Sequence, residues 1–359
     1  MKTPFAKRRR ALLSQLAGAR LGSLLITHPP SWYYLTGFTG ESGALVVSRR
    51  GVALITDGRF TQQAKDETGG VRVVPQEGSL VASVGQFLRG AGGRVGFDAS
   101  RVTVGQMKAL RREGGSKVQW IPAGGYVESQ RGRKDAEELA RMRKAAVLIG
   151  EVLEGALKLL KPGVRELEVA AEIDHQMRRQ GAAGPAFESI VAFGERSAYP
   201  HARPTAKRLR KNELVVLDVG AILSHYCSDI TRTVVVGRAP ARIRRWYRAV
   251  QEAQSAAVET VQAGVTCGEV DGAARRVLAG YRLDRYFVHS TGHGLGLEVH
   301  EDPRVAKGQK QVLEPGNVIT IEPGVYVPGV GGIRIEDDVA VHATRTEVLT
   351  RIPRDLIEI

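Results

Sequence analysis

The sequence predicts a two-domain protein of the α+β class, and three observations lead to this prediction. The chain has 359 residues, more than one hydrophobic core usually supports. Its first third alternates short apolar segments with turn residues. The remainder contains long helical patterns followed by strand-like segments that look antiparallel, which favours α+β over a doubly wound parallel sheet.

The first predicted domain covers residues 1–128 and is a small α/β unit. Its strand-like segments, such as L-L-I-T, A-L-V-V-S and G-V-A-L-I-T, are separated by turn residues. Residues 12–16 place leucines on one face of an opening helix, and another helix is predicted near Leu80–Arg89. The polar stretch G-G-Y-V-E-S-Q-R-G-R-K then marks the boundary between the domains.

The second predicted domain covers residues 129–359. A D-x-x-E capping pattern at Asp135 begins a long helix that ends at the K-P-G turn of residues 161–163. Further helices are predicted over about 165–180 and 241–264, with β-rich segments after each. This domain is large enough to enclose a deep site.

The composition argues against nucleic-acid and membrane partners. The formal net charge is +14, but the basic residues are scattered along the chain without the interleaved aromatics of a nucleic-acid surface. No apolar run approaches the roughly 18 residues that a membrane span needs. The chain start resembles a weak export signal that Gln15 and Arg20 interrupt, and Cys227 and Cys267 lack disulfide spacing. We therefore expect a cytoplasmic protein with no specific nucleic-acid partner and no membrane partner.

Polar side chains interrupt apolar strand patterns at several places in the second domain. They lie in segments such as L-V-V-L-D-V-G, S-D-I-T-R-T-V-V-V, V-I-T-I-E-P-G and G-G-I-R-I-E-D-D-V, and in the glycine-rich stretch S-T-G-H-G-L-G-L-E-V-H-E. A lone buried charge would be costly in such a strand, so we expect these groups to converge on one interior point. The converging set is Asp218, Asp229, His293, Glu322 and Glu336.

Four carboxylates and one imidazole at one interior point indicate a metal centre. Carboxylates gathered in a dry cavity either take up protons or are neutralised by cations. Because carboxylates can bridge, five residues suffice for two divalent ions, as in two-metal hydrolases. The hard, oxygen-rich set favours Mn²⁺ and tolerates Co²⁺, Fe²⁺ or Zn²⁺.

The segments that carry these residues follow one another in a specific order and spacing. V-V-L-D-V-G-A, S-D-I-T-R-T-V-V-V-G, T-G-H-G-L-G-L-E-V-H-E-D-P and V-L-E-P-G-N-V-I-T-I-E-P-G-V-Y resemble the metallopeptidases of the pita-bread fold, family M24. Y-L-T-G-F-T-G-E-S-G-A-L and I-T-D-G-R-F resemble the amino-terminal domain of its proline-specific branch, aminopeptidase P and prolidase. The resemblance implies a small creatinase-like, ribonuclease H-like α/β domain followed by a pita-bread catalytic domain.

The resemblance also implies roles for the histidines and one glutamate of the site. His293 would be a metal ligand, whereas His300 would contact the substrate and the tetrahedral intermediate. His201 would orient the peptide and assist proton transfer. His289 would line the pocket, where a catalytic effect and a simple hydrogen bond to the loop are equal alternatives. Glu322 would be both a ligand and the proton acceptor.

Two further positions match residues that shape the site and bind substrate in the family. Tyr326 is one of them, and Arg334 is the other, with Arg334 fixing either Glu336 or a substrate carboxylate. The adjacent Asp337 and Asp338 are expected to be solvated near a turn or to lie behind the ligands. Cys227 is expected to be a buried, inert thiol.

Together these implications describe an exopeptidase with two metal ions. It would hydrolyse the Xaa-Pro bond at the amino terminus of peptides with proline in second position, through a hydroxide that bridges the metals. The F-T-G-E-S-G-A-L segment favours this Xaa-Pro aminopeptidase over the alternative, an Xaa-Pro dipeptidase (prolidase) restricted to dipeptides. A metal-free binding module with the same fold is a further alternative, against which the five retained ligands argue. Subunits of this branch usually pair, so a homodimer is expected.

Overall fold

The computed structural model describes residues 4–359, which form two compact units. The first unit ends at Arg131, and the second runs from Gly132 to Ile359. This division falls inside the polar stretch in which the sequence places the domain boundary. Each unit encloses its own hydrophobic core.

The first unit is a mixed sheet with helices, the small α/β domain that the sequence predicts. Its helices are α1 (Pro4–Gly18), α2 (Pro29–Thr36), α3 (Thr61–Glu67), α4 (Leu80–Ala91), α5 (Val104–Gly114) and α6 (Tyr126–Arg131). Its strands are β1 (Ser23–Ile26), β2 (Ala44–Ser48), β3 (Gly51–Thr56), β4 (Arg72–Pro75), β5 (Gly93–Phe97) and β6 (Val118–Pro122). The strand order is β4-β3-β2-β1-β5-β6, in which β1, β5 and β6 run parallel and β2 is antiparallel to β1.

The second unit contains longer helices and many short strands. Its helices are α7 (Ala136–Leu157), α8 (Glu166–Arg179), α9 (Ala241–Thr260) and α10 (Cys267–Gly280). Its strands are β7 (Gly184–Pro185), β8 (Ile190–Phe193), β9 (Glu213–Val219), β10 (Ala221–Leu223), β11 (Tyr226–Cys227), β12 (Ile230–Val236), β13 (Gly292–Gly294), β14 (Glu301–Val305), β15 (Val318–Ile321), β16 (Gly324–Val327), β17 (Gly331–Arg334), β18 (Asp337–Val341), β19 (Thr346–Val348) and β20 (Ile357–Glu358). Among residues 132–359, the strand pairs are antiparallel apart from β12 with β20, which confirms the α+β class.

Two sheets of the second unit carry the residues of interest. One has the order β20-β12-β9-β8, and the other has the order β14-β13-β15-β18-β19. Helices α7 and α8 pack on the first sheet through residues such as Ile149 and Val169 against Leu217. Helices α9 and α10 contribute Val250 and Ala274 to the core that includes Ile319 of the second sheet. Apolar faces of both sheets are thus covered by helices, which leaves their polar residues to face a different region.

The helices of the second unit differ from the prediction in one place. After the helix predicted over 241–264, the sequence analysis expects strands, but α9 ends at Thr260 and α10 follows. The signal for α10 is present in T-C-G-E, where Thr266 and Glu269 form a capping box. Glycines at both ends of the segment and a short apolar stripe make this helix signal weak. Among residues 4–359, none of the helices combines the length and the apolar character that a membrane crossing requires.

Candidate metal centre

The positions of Asp218 and Asp229 follow from the pairing of β9 with β12. In this antiparallel register Asp218 lies opposite Thr231, and Asp229 directly precedes β12. Leu217 and Val219 belong to the core beneath the helices, so the alternation of a strand directs Asp218 to the opposite face. Asp218 and Asp229 are both buried.

The remaining three predicted ligands come from the neighbouring sheet. His293 is the central residue of β13, Glu322 follows β15, and Glu336 directly precedes β18. A Cβ atom on Gly292 would lie 1.8 Å from the carbonyl oxygen of Thr320, so only glycine allows β13 to lie this close to β15. Gly292 of the glycine-rich stretch therefore allows the close packing that brings His293 to the carboxylates.

The structure brings the ligand atoms of this set together. His293 Nε2 lies 3.4 Å from Glu322 Oε1 and 3.8 Å from Asp229 Oδ2. One possible ligand atom from each of Asp229, His293 and Glu336 falls within 4.8 Å of the others. His293 Nδ1 lies 3.0 Å from the carbonyl oxygen of Gly294, which fixes the proton on Nδ1 and leaves Nε2 free to bind a cation.

Two carboxylate oxygens of the site have no hydrogen-bond donor. Oδ1 of Asp218 and Oδ1 of Asp229 are fully buried and accept no hydrogen bond from the part of the chain that the structure describes. Buried polar atoms almost always have a partner, so these two oxygens point to a ligand that the polypeptide does not supply.

The electrostatics of the site indicate the same missing partner. Burial raises the pKa of Glu322 to about 7. Burial, together with repulsion from neighbouring carboxylates, raises the pKa of Asp229 and of Glu336 well above the usual range. Burial lowers the pKa of His293, which keeps its imidazole neutral, as a metal ligand must be. Residues of this type, with unpartnered buried oxygens, fit divalent cations.

A hydrogen-bonded row of side chains borders the carboxylates. His289 Nδ1 donates to the carbonyl oxygen of Ser290 at 2.7 Å, so its Nε2 accepts from the Tyr326 hydroxyl at 2.8 Å. The Tyr326 oxygen in turn accepts a 2.6 Å hydrogen bond from Arg334 Nη1. Burial lowers the pKa of His289 to about 4, so this imidazole is neutral at neutral pH.

Arg334 contacts a different carboxylate from the one expected. The family resemblance implies that Arg334 fixes Glu336 or a substrate carboxylate, but its Nη2 donates a short hydrogen bond to Asp218. Its Nε donates to Thr231 Oγ1 at 3.0 Å, and it is Thr231 that donates to Glu336, at 2.6 Å. Arg334 in β17 and Thr231 in β12 belong to different sheets and meet through their side chains, a contact that sequence spacing alone does not reveal.

The other two predicted histidines lie at the exposed side of the site. The ring centroids of His300 and His293 are 4.3 Å apart. His300 is exposed, and partial burial and the neighbouring His293 lower its pKa. His201 is exposed as well, and the carbonyl oxygen of the preceding residue, Pro200, accepts a 3.2 Å hydrogen bond from Arg334 Nη1, which places His201 beside the site.

The prediction that Asp337 and Asp338 are solvated is wrong. Both carboxylates are buried. Asp337 forms an ion pair with Arg232 at 2.8 Å, and Asp338 Oδ2 accepts the backbone N–H of Asp229 at 3.1 Å. The alternative that they lie behind the ligands agrees with these contacts. Sequence reasoning missed Arg232, although a cation in the middle of the apolar strand I-T-R-T-V-V-V was a signal for a buried partner.

Comparison with known proteins follows the same division of the chain. Residues 8–132 match the Creatinase/Prolidase N-terminal domain, and residues 140–343 match Metallopeptidase family M24. An Xaa-Pro dipeptidase of Pyrococcus horikoshii is 35% identical over 340 residues, which are 94% of this chain and 95% of that protein.

Solved structures with the same fold include peptidases with two different names. An Xaa-Pro dipeptidase from Bacillus anthracis superposes with a TM-score of 0.95 at 36% identity, covering 99% of this chain and 100% of that one. An X-Pro aminopeptidase from Thermotoga maritima gives a TM-score of 0.89 at 32% identity, covering 98% and 100%. The buried carboxylate site and these matches over nearly the whole chain lead to one conclusion: this protein is a peptidase of metallopeptidase family M24, with the pita-bread catalytic domain of that family behind a creatinase/prolidase amino-terminal domain.

Proposed function

We propose that this protein is an Xaa-Pro dipeptidase with two divalent metal ions in its site. The observation that carries the proposal is the buried carboxylate set with unpartnered oxygens on Asp218 and Asp229. Relatives named Xaa-Pro dipeptidase cover nearly the whole chain, which supports the dipeptidase over the aminopeptidase that the sequence analysis puts first.

The metal ligands in this proposal are the five residues that the sequence predicts. Asp218, Asp229, His293, Glu322 and Glu336 would hold the ions. When bound, two such cations lower the pKa of a water molecule and polarise the scissile carbonyl group. Manganese is proposed because oxygen ligands dominate the set, with Co²⁺, Fe²⁺ and Zn²⁺ also able to bind.

The side chains around the ligands position the substrate and move a proton. Glu322 accepts the proton that the attacking water loses as its oxygen bonds to the carbonyl carbon, and delivers it to the proline nitrogen as the C–N bond breaks. His300, next to His293, donates a hydrogen bond to the carbonyl oxygen as negative charge develops there. His201 contacts the peptide from the exposed side, while Tyr326 and the neutral His289 form the inner wall.

Selectivity for proline follows from the nature of the bond. An Xaa-Pro bond is a tertiary amide, so its nitrogen carries no N–H that could bond to the enzyme. A site that holds the pyrrolidine ring by shape therefore gains selectivity that a site reading the backbone N–H would not have. Only the neutral amine leaves, which is why a proton donor near the nitrogen is required.

Comparing peptide lengths tests the proposal. The metal-loaded enzyme should cleave Xaa-Pro and leave Xaa-Pro-Yaa intact, with Xaa-Ala as the control for proline selectivity. Elemental analysis of the same sample should give two metal ions per chain. Faster cleavage of Xaa-Pro-Yaa would instead favour the aminopeptidase. The similar structure from Thermotoga maritima has the name X-Pro aminopeptidase. An Asp218→Asn variant that keeps both its activity and its metal content would contradict the assigned site.

Other expectations stay predictions. These are a homodimer, a cytoplasmic location and the absence of a specific nucleic-acid partner. Size-exclusion chromatography with light scattering would measure the subunit number. Binding to DNA or RNA in low and high salt would show whether the net charge of +14 causes more than weak, salt-sensitive retention.

A further inference from the structure

We propose that Asp271 and Arg275, on a helix outside the metal site, are positioning residues for His289 and Glu322. Both lie in α10, the helix that the sequence analysis did not expect. Neither belongs to the predicted ligands or the predicted substrate-binding residues. The inference rests on the proposed function only for the kinetic part of its test.

Arg275 holds the segment that precedes His293. Its Nη2 donates to the carbonyl oxygen of His289 at 2.7 Å, and its Nη1 donates to that of Phe287 at 3.3 Å. The guanidinium carbon also lies 4.3 Å from the centroid of the Phe287 ring. The Phe287 ring packs edge-on against the His289 ring, with their centroids 5.1 Å apart. One guanidinium group therefore fixes both the backbone and the ring neighbour of His289.

Asp271 holds the other end of the same segment. It is 1% exposed, and its Oδ1 accepts a hydrogen bond from Thr291 Oγ1 at 2.7 Å. Its Oδ2 accepts from Arg275 Nε at 2.7 Å, so the carboxylate orients the guanidinium while it binds the threonine. The carbonyl oxygen of Thr291 accepts the backbone N–H of Glu322 at 2.7 Å. The position of Glu322 thus depends on a residue that Asp271 anchors.

The contacts continue from this segment to a metal-ligand carboxylate. His289 accepts from the Tyr326 hydroxyl at 2.8 Å, and Tyr326 accepts from Arg334 at 2.6 Å. Arg334 donates to Asp218. A displacement of residues 287–291 would therefore move groups of the site in two ways. It would shift the hydrogen bonds from His289 through Tyr326 and Arg334 to Asp218, and it would shift the backbone of Glu322.

A purely structural role is the simpler reading of an Asp271–Arg275 pair, since oppositely charged residues four apart on a helix commonly pair at the surface. The geometry favours more than this. Two N–H groups of Arg275 donate to backbone carbonyl oxygens of one loop, and the buried carboxylate of Asp271 accepts a hydrogen bond from Thr291 in the same loop. A surface pair would place no such constraint on the residues that border an active site.

The test removes one hydrogen bond at a time. Thr291→Val replaces the hydroxyl by a methyl group of the same shape, and Thr291→Ser keeps the hydroxyl as the matched control. Arg275→Met and Arg275→Lys form a second pair. For Xaa-Pro hydrolysis we expect Thr291→Val to lower kcat about tenfold to hundredfold with KM changed little, the scale seen when residues behind metal ligands are removed. Thr291→Ser should stay within a few fold of the wild type.

A variant far from the site separates lost positioning from lost stability. Glu347→Gln weakens the paired hydrogen bonds from Arg143, both 2.8 Å long, and the contact with His342. It should lower the melting temperature without changing kcat. The proposal is overturned if Thr291→Val lowers the melting temperature but leaves kcat as high as Glu347→Gln does.

A second measurement does not depend on activity. In the metal-free protein labelled with ¹⁵N-histidine, long-range ¹H–¹⁵N spectra report the ring nitrogens of each histidine, and His289→Gln identifies the His289 signals. Thr291→Val and Arg275→Met should shift the His289 signals, whereas Glu347→Gln should shift those of His342 alone. Unchanged His289 signals in both variants would refute the inference. If the wild type cleaves no Xaa-Pro peptide, the proposed function is wrong. The spectra still test the inference that Asp271 and Arg275 position His289.

Discussion

Two groups of polar side chains in the second unit hold buried carboxylates, and these carboxylates are satisfied in opposite ways. The site cluster consists of Asp218, Asp229, Glu322 and Glu336. The back network consists of Arg232, Gln254, Asp337, Thr350 and Arg354. Asp337 receives 2.8 Å hydrogen bonds from Arg232, Gln254 and Thr350, so both of its oxygens have donors. In the site cluster, by contrast, oxygens of Asp218 and Asp229 have none.

The difference separates a structural charge from a functional one. Arg232 is buried to the same extent as Asp337 and donates further hydrogen bonds to four backbone carbonyl groups, so the pair is complete within the polypeptide. Breaking such a pair destabilises the fold because a charge is left buried alone. In the site cluster Arg334 donates to Asp218, but Oδ1 of Asp218 and Oδ1 of Asp229 still have no donor, and bound cations would complete them. Burial alone does not distinguish Asp337 from these carboxylates. The donors do, because Asp218, Asp229 and the adjoining Asp338 each have a buried oxygen without a hydrogen-bond donor, whereas both oxygens of Asp337 have one.

Asp229→Asn should give the largest effect and should separate function from stability. We expect kcat/KM for Xaa-Pro to fall at least about a thousandfold, which corresponds to about 4 kcal/mol. The free energy of unfolding of the metal-free protein should not fall, because the substitution removes one of several mutually repelling carboxylates. Steady-state kinetics, elemental analysis and urea unfolding in chelator measure the three quantities. A stable variant with full metal content and full activity would contradict the assignment.

Arg232→Met should have the opposite profile. The free energy of unfolding should fall by about 3–5 kcal/mol, because Asp337 loses its cation in a buried position. The double variant Arg232→Met/Asp337→Leu should recover much of this loss, since no charge is then left unpaired. Urea unfolding measures both. A double variant no more stable than the single one would show that the back network acts through something other than charge pairing.

Thr231→Val tests a hydroxyl group that holds two residues of the site, Glu336 and Arg334. Thr231 Oγ1 donates to Glu336 at 2.6 Å and accepts from Arg334 at 3.0 Å. Removal of the hydroxyl should weaken metal binding about tenfold to hundredfold, as with other residues that hold metal ligands. Competition with a metal-binding dye measures the affinity. Thr231→Ser should bind metal nearly as well as the wild type, and equal weakening in both variants would assign the effect to packing.

The stability of the metal-free protein should depend on pH in a predictable direction. A carboxyl whose pKa is higher in the folded state binds more protons there than in the unfolded chain, so stability falls as pH rises through the folded pKa. Burial raises the pKa of Glu322 to about 7. The lowered pKa values of His289, His293 and His300 act with the opposite sign, because these imidazoles still bind protons near pH 6.5 in the unfolded chain.

Comparison with Glu322→Gln removes the histidine effect, because both proteins contain the same histidines. Relative to Glu322→Gln, the metal-free wild type should lose on the order of 1 kcal/mol of stability between pH 6.5 and 8. Excess Mn²⁺ should remove the dependence, since a bound cation keeps the carboxylates ionised, and binding should release protons. Urea unfolding at several pH values and calorimetry in buffers of different ionisation enthalpy measure these effects. A metal-free wild type that keeps or gains stability relative to Glu322→Gln from pH 6.5 to 8 would contradict the raised pKa of Glu322.

The α+β class, the division into two units and the polar interruptions of apolar strands could all be predicted from the residue pattern. The proposed ligand set could be named because each member, such as Asp218 in L-V-V-L-D-V-G, conflicts with the apolar pattern around it. Alternation along a strand also separates neighbours such as Leu217 and Asp218 onto opposite faces. These properties are local, because they depend only on residues that are close together in the sequence.

The residue pattern does not reveal which carboxylates have donors, because the donors come from distant parts of the chain. Asp337 and Asp338 are adjacent and both acidic, yet Asp337 meets Arg232 and has donors on both oxygens, whereas Asp338 accepts from the backbone of Asp229 and has one oxygen without a donor. Likewise Arg334 reaches Asp218 instead of Glu336, and α10 brings Arg275 to the carbonyl of His289. Such contacts depend on how separate elements pack together, because a hydrogen bond requires a partner within about 3 Å and the sequence does not contain that distance.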